Sequence, residues 1–185
     1  MNKLWLILLV CLMAGLDLQA QIVAVKTNLL YDATSTPNVG VEVAFNKHMS
    51  IDLSGGYNGW TFSNDKSLKH WSLQPEFRYW LFESFNGHYL GAHALYMNYD
   101  FAGIRLPFGM GKTHAYDGDG YGGGISYGYH LYLSPRWNVE FTAGLGYIYF
   151  KYDKYSFPDK ERIGKFRNNY WGPTKLGISI VYIIK

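Results

Sequence analysis

Apolar and polar residues alternate along most of this chain with a period of two. In the stretch KHWSLQPEFRYW, His70, Ser72, Gln74, Glu76 and Arg78 share one parity, and Trp71, Leu73, Pro75, Phe77 and Tyr79 share the other. That pattern predicts a strand with one polar and one apolar face. The same reading predicts strands over 23–31, 38–45, 50–60, 70–81, 88–99, 121–133, 137–152 and 170–184. The connections 46–49, 82–87 and 134–136 are short, while 61–69, 100–120 and 153–169 are long and 32–37 is intermediate. Eight antiparallel strands with short turns on one rim and long loops on the other predict an all-β, up-and-down transmembrane barrel of the small outer-membrane type.

The two faces decide which way the barrel is turned. One set, including Val39, Val41, Ile51, Leu53, Phe77, Leu90, Ile125, Phe141, Leu145, Ile178 and Ile180, carries no charge. The other holds Lys26, Glu42, Asp52, Glu76, Arg78, His93, His130, Glu140 and Lys175, together with Gly40, Gly91, Gly124, Gly128 and Gly144. Small residues belong where space is tight, inside a narrow barrel that must also hold long polar side chains. The apolar set, framed by Trp and Tyr near strand ends, is therefore expected to face lipid. Pro75 lacks a ladder donor and predicts a local bulge.

Composition agrees: 18% aromatic residues, 17 Tyr and 21 Gly are the habits of a β chain. Lys3 followed by an uncharged run over 4–16 and small or polar residues up to Ala20 predicts a secretory signal peptide cleaved after Ala20. Residues 21–185 then form one barrel domain. The only cysteine, Cys11, lies in the signal segment, and the bulky Val10 before it argues against lipidation. A mature chain without cysteine excludes disulfides, thiol catalysis and thiolate metal sites.

The segments KTNLLYDAT (26–34), PNVGVE (37–42), YNGW (57–60), KHWSLQPEFRYW (69–80), YLGAH (89–93) and YWGPTKLGIS (170–179) resemble a Bacteroidetes family of outer-membrane β-barrels defined only as a domain of unknown function. The resemblance spans nearly the whole mature chain. It implies an outer-membrane location and a barrel fold, and brings no activity and no catalytic residues. Some barrels of this kind continue into a peptidoglycan-binding domain; with the sequence ending at Lys185, none is expected here. The order of Lys175, Gly177, Ile180 and Tyr182 near the end resembles the C-terminal signal read by the barrel-insertion machinery.

Glu42, Asp52, Arg78, His93, His130 and Glu140 fall at similar heights above the short-turn rim, so they are expected to cluster in the lumen. With Lys26, Glu76 and Lys175 they form a candidate polar network. A proton-sensitive or metal site is one reading; a packed ion-pair core is the expectation, because buried charges require partners. Asp117-Gly-Asp119-Gly resembles the start of a calcium loop but lacks the twelfth-position acid, so a glycine-rich turn is expected. Lys154, Lys160, Arg162, Lys165 and Arg167 make the 153–169 loop basic, a candidate contact for lipopolysaccharide or an envelope protein partner. Nucleic acid is not an expected partner.

No cofactor, metal or catalytic residue is expected. His70 near Ser72 is the best nucleophile–base pair, and it belongs to neither the lipid-facing surface nor a triad. The expected function is a structural or surface-interaction platform of the cell envelope. A lipid-modifying outer-membrane enzyme and a narrow solute pore are the alternatives.

Overall fold

Period-two strands bury their polar side only if the sheet curls around it, and the chain does this. The structure is a computed structural model that describes residues 22–62, 66–103, 114–156 and 161–184. The predicted signal peptide with Cys11, and Lys160, lie outside the described residues. In chain order the elements are β1 (Ile22–Asn28), α1 (Leu29–Ala33), β2 (Asn38–Ala44), β3 (Met49–Asn58), β4 (Thr61–Phe62), β5 (Lys66–Trp80), β6 (Gly87–Ala102), β7 (His114–Ser134), β8 (Trp137–Ser156) and β9 (Arg162–Ile184).

The strands follow the order β3-β2-β1-β9-β8-β7-β6-β5-β4, and a β3–β5 pairing closes the sheet. β4 is a two-residue piece that pairs with β5 beyond the end of β3. Eight long antiparallel strands therefore complete the ring. β1 joins β9 from Val23↔Ile184 to Asn28↔Ser179. The apolar parity faces out, with Ile125 72% and Leu145 62% exposed. The polar parity faces in, where Glu42, Asp52 and Arg78 are all at 0%.

Four expectations are corrected. The first strand stops at Asn28 rather than at residue 31, because Asn28 caps a helix: its side chain accepts from the Leu30 N–H at 3.1 Å. Asn28 also donates from Nδ2 to the Leu176 carbonyl at 3.1 Å and accepts from the Ile178 N–H at 3.3 Å, so one side chain ends the β1–β9 ladder. Asn38 accepts from the Asn28 N–H at 2.7 Å and donates to Asp32 at 2.9 Å, clamping α1 against β2. An Asn that satisfies helix and sheet backbone together stabilises the change of direction.

The long loops are shorter than expected. β7 begins at His114 and β9 at Arg162, so Asp117-Gly-Asp119-Gly is strand rather than turn, and most of the 153–169 segment is strand. Alternation fails there because both faces are polar or aromatic; neighbouring strands supply the pairing instead, as in Tyr99↔Gly118 and Tyr152↔Phe166. Pro75 makes no bulge. Leu73 pairs with Tyr96 and Glu76 with His93, the same register on both sides of the gap. The irregularity lies instead where Gly144↔Lys175 is followed by Leu145↔Pro173, leaving Thr174 as the extra residue. A bulge re-aims its side chain, and here Thr174 Oγ1 lies 2.8 Å from His93 Nε2.

Interior glycines admit large neighbours. A Cβ on Gly128 would meet the Tyr89 ring, and one on Gly91 would meet Ser126 Oγ and the Glu76 carboxylate. Gly128→Val is expected to cost roughly 1–3 kcal/mol through overpacking, measured by denaturant unfolding. A silent substitution would mean that Tyr89 does not lie across β7.

Candidate functional site

The interior is built upward from the short-turn end. Phe85, in the turn after β5, folds under the barrel, and with Trp80, Tyr89, Ala24, Ala44 and Val181 it forms an apolar floor. Asn138 Nδ2 donates to the Phe85 carbonyl at 2.7 Å, and Trp80 Nε1–H donates to Ser50 Oγ at 2.8 Å. The sequence reading missed Trp80, Tyr89 and Phe85. Parity alone places Trp80 and Tyr89 inside; nothing in the pattern places a turn phenylalanine there.

Arg78 sits on this floor. Its Nε donates to Glu76 Oε2 at 2.6 Å, and its Nη1 donates to Glu42 Oε2 at 2.7 Å and to Glu140 Oε2 at 2.8 Å. Its Nη2 donates to Glu140 Oε1 at 3.0 Å and lies 3.6 Å from Asp52. The guanidinium carbon stands 4.3 Å from the Tyr89 ring centroid. Lys26 Nζ lies 2.9 Å from both Glu42 and Asp52 and 3.1 Å from Glu140. Lys175 Nζ lies 2.8 Å from Glu76 and 3.6 Å from Asp52. Every network residue proposed from sequence is thus in one assembly, with His130 Nε2 2.8 Å from Glu140 and His93 Nδ1 3.9 Å from Glu76. Ser50 and Ser126 add donors to Glu42 and Glu76, at 2.5 Å each.

Among the described residues, Glu42, His130 and Glu140 alone have the spacing of a metal triad. Lys26 Nζ and Arg78 Nη1 already contact both Glu42 Oε2 and Glu140 Oε2, however, so a cation would meet two resident positive charges. The donor set fits an ion-pair core better than a metal. Above it lies a polar cavity of about 40 Å³, lined by residues including Lys26, Asp52, Arg78, Lys175 and Gln74. That is room for a few waters. His70 and Ser72 are both on β5, and among the described residues no hydrogen bond joins them.

The outer end of the barrel differs. β6 to β9 continue past the ring, and their rungs include Asp100–Asp117–Asp153–Lys165 and Asn98–Asp119–Lys151–Arg167. Of the proposed contact residues, Lys154 lies on β8 and Arg162, Lys165 and Arg167 on β9. Arg162 is held by Asp153, with Nη2 donating to Oδ1 at 2.6 Å. Lys154 Nζ stands 5.9 Å from the Tyr116 ring centroid.

Two outcomes test these arrangements. Arg78→Ala leaves buried carboxylates unpaired and is expected to destabilise the barrel by about 3–5 kcal/mol in denaturant unfolding, with Arg78→Lys recovering part of the loss. Partial burial, followed by the neighbouring Asp100, Asp153 and Asp119, raises the Asp117 pKa above the ordinary aspartate value. A raised folded-state value means that stability falls as pH rises through the acidic range where Asp117 ionises. Asp117→Asn is therefore expected to stabilise the protein at neutral pH and leave it unchanged in acid, read as thermal midpoints across pH.

Comparison with known proteins places this architecture in a family. No curated protein and no solved structure matches the chain. A family described as "Protein of unknown function (DUF3575)" matches residues 6–184, and the chain belongs to that family.

Proposed function

We propose that this protein is an outer-membrane barrel, exported through a cleaved signal peptide, that acts as a surface-interaction platform of the cell envelope. The observation that carries the reading is the layering of the outer face. At the short-turn end, Trp137 packs against Tyr182 with ring centroids 4.9 Å apart. Rungs such as Leu131–Val139–Ile180, Tyr129–Phe141–Ile178 and Ile125–Leu145–Pro173 follow. A second aromatic layer comes next, with Tyr147 against Trp171 at 5.0 Å and Tyr121 against Tyr149 at 5.3 Å. Charged rungs begin one step beyond.

Tyr147 lies ten residues along β8 from Trp137. With about 3.3 Å per residue and the usual strand tilt, the two aromatic layers are about 25 Å apart, the height of an outer-membrane apolar band. The cross-strand pair Lys151↔Arg167 lies just above the upper layer, where anionic lipopolysaccharide headgroups would be its neighbours. The last strand, carrying Gly177, Ile180 and Tyr182, would be presented to the barrel-insertion machinery. The interior favours a scaffold over a pore, because among the described residues the aromatic floor and the Arg78 network occupy the lower lumen beneath a small polar cavity. A lipid-modifying enzyme needs a nucleophile touching its base, and no observation favours that reading.

The test is extraction from cell envelopes followed by electrophoresis with and without boiling. Detergent-dependent extraction and a compact band lost only on boiling are expected. Release without detergent would remove both the location and the platform role. Ile178→Arg, on the outer face opposite Phe141, is expected to cost about 2–4 kcal/mol near the midplane, measured by unfolding in lipid vesicles; no loss would reverse the facing.

A further inference from the structure

The helix that ends β1 has a consequence for the opposite strand. β9 pairs with β1 only from Ser179 onward, and Asn28 occupies the next ladder positions at Leu176 and Ile178. From Arg162 to Tyr170, β9 pairs with β8 on one side, and among the described residues no strand pairs with its other side. Arg162, Lys165, Phe166, Arg167, Asn168 and Asn169 are exposed. A closed barrel removes sheet edges, so a strand edge left open above the ring is an unpaired row of N–H and C=O groups.

We infer that this β9 edge is a docking site for an extended segment of a partner protein, with acidic residues on one face and apolar residues on the other. Lys165 and Arg167 share the outer face, on the rungs Asp153↔Lys165 and Lys151↔Arg167, while Phe166 and Tyr170 point inward. Phe166 stacks on Tyr152 at 6.0 Å and Tyr170 meets Phe150 edge-on at 6.5 Å, so the inner side of the edge is aromatic. Among the described residues, no ion pair holds Lys165, Arg167 or Lys151. A strand added at this edge places alternate residues beside the cations and beside the rings, and main-chain bonds supply the affinity. Antiparallel pairing of two copies through this edge would set Lys165 and Arg167 against the same cations, which disfavours a second copy as the occupant. The same cations keep an unoccupied edge from self-aggregation.

This inference rests on the platform reading, since it takes the long-strand end as the one that partners reach. The assay reads the edge in detergent, so its outcome is separate from where in the cell the barrel resides. The probe is a fluorescent alternating Glu/Val peptide of about nine residues, titrated by anisotropy against the folded protein, with a scrambled Glu/Val peptide as reference. Two further peptides are N-methylated on one or the other alternate set of backbone nitrogens, which removes donors without changing charge.

Binding of the alternating peptide above the scrambled one is expected. One methylated peptide should lose about tenfold or more in affinity, from several missing main-chain bonds, and the other should not. Lys165→Glu with Arg167→Glu should also abolish binding, while the compact unboiled band shows that the barrel is still folded. Absence of binding would overturn the inference. So would equal binding of both methylated peptides, which is electrostatic adhesion alone, or a charge reversal that changes nothing.

Discussion

A guanidinium removed from water must be surrounded by anions, and the barrel interior is organised around that requirement at Arg78. Its nitrogens reach Glu42, Glu76 and Glu140 at hydrogen-bonding distance and Asp52 at 3.6 Å, and these residues come from β2, β5, β8 and β3. Lys26 on β1 and Lys175 on β9 complete the contacts. Six of the eight ring strands are thus tied to one another through a charge cluster rather than through an oily core. Such a cluster contributes little net stability compared with well-packed hydrophobic residues, but losing one member is costly. It also enforces register: a slip of one residue in any of these strands would carry its charge to the apolar outer face.

The two ends of the molecule follow different rules. Within the ring, each strand has a neighbour on both sides and strict alternation, so side chains are sorted by face. Beyond it, β6 to β9 run on as an open sheet whose inner face is aromatic and whose outer face is charged. Gly118 and Gly120 on β7 make room there: Gly120 lies under the Phe150 ring, and Tyr152 crowds the position a Cβ on Gly118 would take. The stripe of glycine lets rings from β6 and β8 lie across β7, giving the extension a core although it is too thin to bury one in the ordinary way.

Alternation makes the ring legible from sequence, because burial on one side only leaves a period of two; parity groups Glu76, Arg78, His93 and Glu140 on one face, and the glycines that share it mark that face as the interior. Three features were not legible. Leu29–Tyr31 continue the apolar character of β1, and only the hydrogen bonds of Asn28 with Leu30, Leu176 and Ile178 reveal that the strand has ended. The extensions past Tyr121 and Tyr170 lack alternation, since neither face is fully buried. Phe85 is one of the few turn residues to enter the core, and its left-handed backbone, with φ of 65°, cannot be read from a hydropathy pattern. The missing donor of Pro75 predicts a bulge there, whereas it occurs at Thr174, beside another proline and opposite Gly144 and Leu145.

The seam between β1 and β9 joins the first and last strands of the ring, and Lys26 on β1 reaches across it to Glu140 on β8 while contacting Glu42 and Asp52 on its own side. A chain whose other strands have paired while β1 is still undocked holds four carboxylates against only Arg78 and Lys175. Those carboxylates must stay hydrated until Lys26 arrives, so desolvation of the interior is coupled to the contact with the greatest separation along the chain. Late, long-range closure of this kind is slow. The ammonium that brings the cations to three against four carboxylates therefore works as a latch, making the desolvated charge cluster accessible only to a barrel with all eight strands in place.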